Sequence, residues 1–242
     1  MNKTTEPTLA ELTETAIKIL RRNNKGIFLF VEGGRIDHGH HDNRVQFALD
    51  ETVQLSEAVK RAAGLLSQDD TLIVVTADHA HVMSINGYSN RGHDILGISR
   101  NTDTNKAPYM TLSYTNGPGF YNLTGNGVRP DVTKLQNFGT PQWRSHVDIP
   151  VTSETHGGDD VAVFALGPHH SMFSGLYEQS QLPYRMAWAA CFGPGSVYCA
   201  GRSRLSLPNA GAIHWPLEHL HCLTLLALLA SIPVYFFERP IN

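Results

Sequence analysis

Ile27-Phe28-Leu29-Phe30-Val31 is an unbroken apolar run that passes at once into Glu32-Gly33-Gly34-Arg35-Ile36-Asp37-His38-Gly39-His40-His41, where two carboxylates and three imidazoles fall within ten residues. Its length and its β-branched and aromatic content predict a strand buried on both faces, and the glycine pair breaks that strand as a helix begins. Upstream, Thr8-Leu9-Ala10-Glu11 reads as a capping box. It opens a stripe of Leu9, Leu12, Ala16, Ile19 and Leu20, an amphipathic helix ending near Asn23-Asn24-Lys25-Gly26. Downstream, a second helical pattern runs from about Asn43 to Leu66, with Leu49, Thr52, Ser56, Val59, Ala63 and Leu66 along one side. It leads into another buried-type strand, Thr71-Leu72-Ile73-Val74-Val75-Thr76. Helix, strand, helix, strand predicts an α/β fold. Such sheets bind ligands beyond the carboxyl ends of their strands, so the chemistry is expected after Val31 and after Thr76.

Asp37 and His41 stand four residues apart, so a helix that starts early puts both on one face, able to grip one ion. After the second strand comes Thr76-Ala77-Asp78-His79-Ala80-His81, which directs Asp78 and His79 towards the same crevice. A third group, Glu154-Thr155-His156-Gly157-Gly158-Asp159-Asp160, precedes the strand Val161-Ala162-Val163-Phe164-Ala165-Leu166. His156 therefore enters either from that strand's other end or from a loop folded back. Carboxylate with imidazole suits zinc, and carboxylate with water suits magnesium. Taken singly, Asp37 is equally a helix cap, and His41 or His156 a surface or core histidine; together the groups argue for a multi-ion site. The two-histidine helix with an intervening glutamate that a metalloprotease needs is not in the sequence.

Composition agrees. The chain has 242 residues at 41% hydrophobic content, enough for one large core or two small ones. Its net charge of -3 comes without a basic block or aromatic-basic interleaving, which sets nucleic-acid binding aside. The 13 histidines cluster, and imidazole is the commonest side-chain metal ligand. Cys191 and Cys199 flank a loop rich in Gly and Pro, compatible with a local disulfide or with two unpaired buried thiols. Cys222 to Phe237 is uncharged and apolar, short for a membrane span and interrupted by Pro233. Before its spacer lie Asn209, Ala210, Gly211 and Ala212, the layout of a glycolipid-anchor signal with an extracellular, oxidising address. A hydrophobic C-terminal helix packed on the core is the alternative, and the charged Glu238-Arg239 departs from an anchor signal's usual apolar finish. Asn122-Leu123-Thr124 is a glycosylation acceptor sequence. No basic and apolar secretory leader follows Met1, so the expectation is of a truncated chain.

Val31 to His41, Thr76 to His81 and Glu154 to Phe164 resemble, in order and approximate spacing, three successive motifs of animal alkaline phosphatases. The similarity runs from about Glu6 to Cys199. It implies a central mostly parallel sheet with helices on both faces, incomplete at its N-terminal side, and a loop-rich inserted subdomain. Residues 1–86 and 154–200 would be part of the catalytic domain, 87–153 the variable surface subdomain, and 201–242 the spacer and anchor signal. Carried over by motif, Asp37, His41 and His156 would bind a first zinc, Asp78 and His79 a second, and Glu32 a magnesium. His81 would orient a ligating carboxylate, and His38 would meet phosphate directly or through water. The family hydrolyses phosphate monoesters through a phosphoserine, which implies two zinc ions, one magnesium and a homodimer; the lipid attachment read from the C-terminal segment would fall at Asn209 or at another small residue near it. The oxidising address read from the C-terminal segment favours pairing of Cys191 with Cys199. The family's nucleophile sits in an Asp-Ser-Ala segment, with a phosphate-gripping arginine and a further aspartate nearby, all upstream of the sequence read here. Arg35 and Arg91 do not match that arginine, and no serine of the chain has the nucleophile's context. The chain alone is therefore expected to have little or no phosphatase activity. The alternative class is a catalytically inactive metal-binding or surface-interaction protein of the same fold, with a phosphodiesterase or sulfatase as the lesser enzymatic rival.

Overall fold

A computed structural model describes residues 5–199 and 233–238. The first helix, α1 (Leu9–Leu20), opens on the capping box: the Thr8 side chain accepts from the Glu11 amide while the Glu11 carboxylate accepts from the Thr8 amide. Strand β1 (Ile27–Glu32), α2 (Arg35–His41), α3 (Val45–Leu65) and β2 (Thr71–Thr76) follow in the expected order. Short strands β3 (Ala80–His81) and β4 (Met83–Ile85) lead into β5 (Ile98–Thr102), β6 (Pro108–Met110), β7 (Leu112–Gly117) and β8 (Val147–Pro150). The chain then returns through β9 (His156–Gly157) and β10 (Val163–Leu166) to α4 (Leu182–Ala190) and the short α5 (Ser196–Cys199). A last strand, β11 (Pro233–Glu238), lies within the segment read as an anchor signal. The rest of that segment, residues 201–232 with Asn209 and Cys222 and residues 239–242, is outside the described residues. Among the described residues no helix is long and apolar enough to cross a membrane.

The central sheet has the order β1-β11-β2-β10. Every neighbouring pair in it is antiparallel, whereas a mostly parallel sheet was expected. The difference comes from what lies between the two motif-bearing strands. β1 and β2 do run the same way, but β11 separates them and runs opposite to both, and β10 returns alongside β2. Their carboxyl ends consequently share one edge of the sheet, as the sequence requires for a common crevice.

Helices cover both faces. Ile17 of α1 and Leu55, Val59 and Ala62 of α3 pack on Val31, Ile73, Val234 and Phe236. On the other face, Leu182, Met186 and Ala189 of α4 pack on Leu72, Val74 and Tyr235. β2 is thereby buried on both sides, as its apolar run predicts. β1 is not: Phe28 and Phe30 remain 47% and 48% exposed, because the cluster under α4 is built on β2, β10 and β11 and stops short of β1. An apolar run reports a tendency to be covered, and the covering helix here ends one strand too early.

Between β4 and β9 the chain builds a three-stranded sheet, β4-β7-β8, and a two-stranded one, β5-β6. Met83, Leu112, Tyr114 and Val147 form a core that includes Val45 of α3, so this region is seated on the helix that follows the first motif. Close packing fixes α2 as well. A Cβ on Gly39 would stand 2.8 Å from the Ala48 main-chain nitrogen, so only glycine lets α2 lie this near to α3.

Candidate metal centre

Three elements deliver the site. The glycine pair after β1 turns the chain directly into α2, whose first turn carries Asp37 and whose last carries His41. These are one helical turn apart, and His41 Nε2 lies 3.2 Å from Asp37 Oδ1. β2 ends at Thr76, placing Asp78 and His79 over the same edge and His81 in β3. The uncertainty over His156 resolves in favour of a folded-back loop: β9 pairs with β3, setting His156 opposite His81.

An open cleft of about 440 Å³ results, lined by Glu32, Gly34, Asp37, His38, His41, Asp78, His79 and His156. Every metal ligand expected from sequence faces it. Asp37 Oδ1 is its hub, with His81 Nε2 at 3.1 Å, His41 Nε2 at 3.2 Å, His156 Nε2 at 3.4 Å and His79 Nε2 at 3.9 Å. Yet Asp37 Oδ1 and His81 Nε2 are both buried without a hydrogen-bond partner. Acceptors are aimed at one another, an arrangement that stays unfavourable until a cation enters.

The spacing fits such a cation. His41 Nε2, His156 Nε2 and Asp37 Oδ1 form a triangle with sides of 3.2, 3.2 and 3.4 Å. A tetrahedral ion with ligands at about 2.0 to 2.1 Å holds its ligand atoms about 3.3 to 3.4 Å apart. The protonation pattern agrees. His41 Nδ1 lies 2.5 Å from the carbonyl oxygen of Glu154, which can only accept, so Nδ1 carries the hydrogen and Nε2 of the neutral ring is bare. Burial, reinforced by the neighbouring His79 and His81, lowers the pKa of His156 and favours the neutral ring a metal needs.

The other expected residues are less tightly gathered. Asp37, His79 and His81 form a second group of convergent ligand atoms, while Asp78 Oδ2 is 3.5 Å from His79 Nε2 and joins no such group. Glu32 lines the cleft with its carboxylate beside Gly34, and among the described residues it joins no group of three convergent ligand atoms. His38 is exposed at the rim, with Nδ1 3.5 Å from Arg35 Nη1. Among the described residues, none of those lining the cleft is a serine. Asn122 is exposed, and the side chain of Cys199 is outside those described.

Beneath the cleft lies a buried polar layer to which sequence reasoning assigns almost nothing. His40 is fully buried; its Nδ1 is 2.8 Å from the Tyr114 hydroxyl, and its ring stacks on His81 with centroids 4.5 Å apart. Burial holds the His40 pKa well below and the Tyr114 pKa well above their ordinary values. Glu154, 1% exposed, receives His81 Nδ1 at 2.7 Å and the Val82 amide at 2.8 Å. The motif that supplies His156 contains Glu154, but its partners are more than 70 residues away in sequence, and no local pattern announces them.

Comparison with known proteins agrees with the motifs. Residues 1–192 match the family described as alkaline phosphatase. Over 212 residues the chain is 60% identical to a membrane-bound alkaline phosphatase of Bombyx mori, a match covering 88% of this chain and 38% of that protein. It is 44% identical to the tissue-nonspecific isozyme of Rattus norvegicus over 89% of this chain and 41% of the relative. For an alkaline phosphatase of Gadus morhua the identity is 47%, over 79% and 40%. The chain thus spans about two fifths of the length of these relatives. With its motifs, its cleft and a family match over most of its length, the chain belongs to the alkaline phosphatase family.

Proposed function

We propose that this chain forms the metal-holding part of an alkaline phosphatase that hydrolyses phosphate monoesters with two zinc ions and one magnesium. Asp37, His41 and His156 hold the first zinc, Asp78 and His79 the second, and Glu32 the magnesium. The observation that carries this reading is the triangle of bare acceptors, whose 3.2 to 3.4 Å sides suit a tetrahedral cation. Divalent cations bound in such a cleft supply Lewis acidity towards a phosphoryl oxygen and lower the pKa of a coordinated water to about 7. The chain's own residues turn the Nε2 atoms of His41 and His156 towards one another and keep Asp37 Oδ1 at the common focus. His38 at the rim meets the phosphate, and the reaction proceeds through a phosphoserine on a serine that is not among those lining this cleft.

The same reading makes 87–153 the variable surface subdomain and Asn122 a glycosylation site. Cys191, which is disulfide-bonded, pairs with Cys199. The protein is a homodimer attached to the extracellular face of the cell surface, and the Bombyx mori relative's name, membrane-bound, supports attachment; exchange of the tail for a lipid at Asn209 would remove β11 from between β1 and β2, so the sheet described here belongs to the chain before any such exchange.

The test is zinc titration of the metal-stripped 242-residue chain, with elemental analysis and a phosphomonoester assay alongside. Zinc uptake that is lost in Asp37→Ala and His41→Ala is expected, together with little or no turnover. Absence of zinc uptake, or uptake indifferent to both substitutions, sinks the metal assignment. Efficient turnover places a working nucleophile within the chain and overturns the remote serine.

A further inference from the structure

Glu154 sits at the convergence of two of the site's imidazoles. Its carboxylate is buried, and among the described residues its ion-pair partners are His41 and His81. Three of its atoms are used. Oε2 receives His81 Nδ1 at 2.7 Å, Oε1 receives the Val82 amide at 2.8 Å, and the main-chain carbonyl receives His41 Nδ1 at 2.5 Å. The trio His41, His81 and Glu154 could be taken for a metal site, since one ligand atom from each lies within 4.8 Å of the others. Distance decides against this. Two ligands of one zinc stand about 3.3 Å apart, and 2.7 Å is a charge-assisted hydrogen bond with no room for an ion between its atoms.

We propose that Glu154 is the positioning residue of the centre, aiming His41 through its main-chain carbonyl and His81 through its carboxylate. Imidazole has two nitrogens, and fixing the hydrogen on Nδ1 of both rings turns Nε2 of both towards Asp37 Oδ1, at 3.2 and 3.1 Å. The Val82 amide pins the second carboxylate oxygen, so Glu154 cannot rotate away from His81 without leaving the part-buried Val82 amide unpaired. One residue thereby couples the loop that delivers His156 to α2 and to β3.

The role rests on the metal reading of the cleft only for its affinity measurement, because ring protonation is read without metal. The experiment uses the full 242-residue chain with nitrogen-labelled histidines, zinc-free at about pH 8, and long-range proton–nitrogen correlation. The hydrogen is expected on Nδ1 of both His41 and His81. In Glu154→Gln the His81 pattern changes while His41 keeps its main-chain partner and its pattern, an internal check that the fold survives. Zinc affinity in that variant is expected to fall about 10- to 100-fold. A bare Nδ1 on His81 of the unaltered protein overturns the proposal without recourse to any variant. So does a Glu154→Gln chain whose zinc affinity stays within about twofold. If the unaltered chain binds no zinc, the metal reading falls while the His81 protonation pattern still decides for or against Glu154.

Discussion

The rim of the cleft and the layer beneath it use the same side chains to opposite ends. At the rim, Asp37, His41 and His156 aim acceptors at one another across 3.2 to 3.4 Å, with Asp37 Oδ1 unpaired. Beneath, Nδ1 of His40 meets Tyr114 and Nδ1 of His81 meets Glu154 through hydrogen bonds of 2.8 and 2.7 Å, so each of these rings is anchored by one nitrogen even though its Nε2 is buried without a partner. Imidazole and carboxylate at similar separations therefore mean different things. Mutual pairing is structure, and mutual frustration is a site waiting for a cation. The difference teaches that histidine content alone says nothing about metal until the hydrogens are assigned.

The largest effect expected from breaking this contrast is at its hub. Zinc at about a thousandfold excess over its dissociation constant should raise unfolding stability by about 4 kcal/mol. Asp37→Ala is expected to abolish that increment, measured by denaturant unfolding with and without zinc; a retained increment would mean the ion sits elsewhere. Next in size is an imidazole buried with neither kind of partner. His146 Nδ1 is unpaired, and burial, with Arg129 nearby, lowers its pKa to about 4. The unfolded chain binds the proton more readily, so this contribution to stability is present above about pH 6.5 and is lost as pH falls towards about 4. It amounts to at most about 3 kcal/mol. His146→Gln should flatten the pH dependence between those limits, and an unchanged slope would refute burial as its origin.

The sequence made one of these layers visible and concealed the other. Glu32 to His41 and Thr76 to His81 are contiguous motifs at strand ends, and local periodicity sufficed to place β1, α2, α3 and β2. His156 could be named but not oriented, because its approach depends on β9 pairing with β3, a contact made across more than 70 residues. The hydrogen bonds of Tyr114 to His40 and of Glu154 to His81 are similarly remote, and neither residue type marks its partner. The antiparallel sheet was hidden for the same reason. Val234 pairs at once with Val31 and Val75, and nothing near either strand foretells a third between them. Phe28 and Phe30 mislead because an apolar strand is written alike whether or not a helix reaches it.

The smallest effects test whether the two layers are separable. Tyr114→Phe removes the partner of a buried imidazole nitrogen while keeping the ring that packs with Val45, Leu112 and Val147. It is expected to lower stability by about 1 to 3 kcal/mol and to leave zinc affinity within about twofold, since His40 Nδ1 faces the protein interior rather than the cleft. His156→Ala reverses that pattern. His156 is exposed, and its contacts at the rim are with the other acceptors, so its removal without metal should change stability by less than about 0.5 kcal/mol. Its loss should even relieve part of the crowding around Asp37 Oδ1, while zinc affinity falls about 100-fold or more, beyond what loss of an outer partner produces. If metal-free His156→Ala were instead destabilised as strongly as Tyr114→Phe, the rim would be holding the fold together, and the distinction between a floor anchored through Nδ1 and a rim of facing acceptors would collapse.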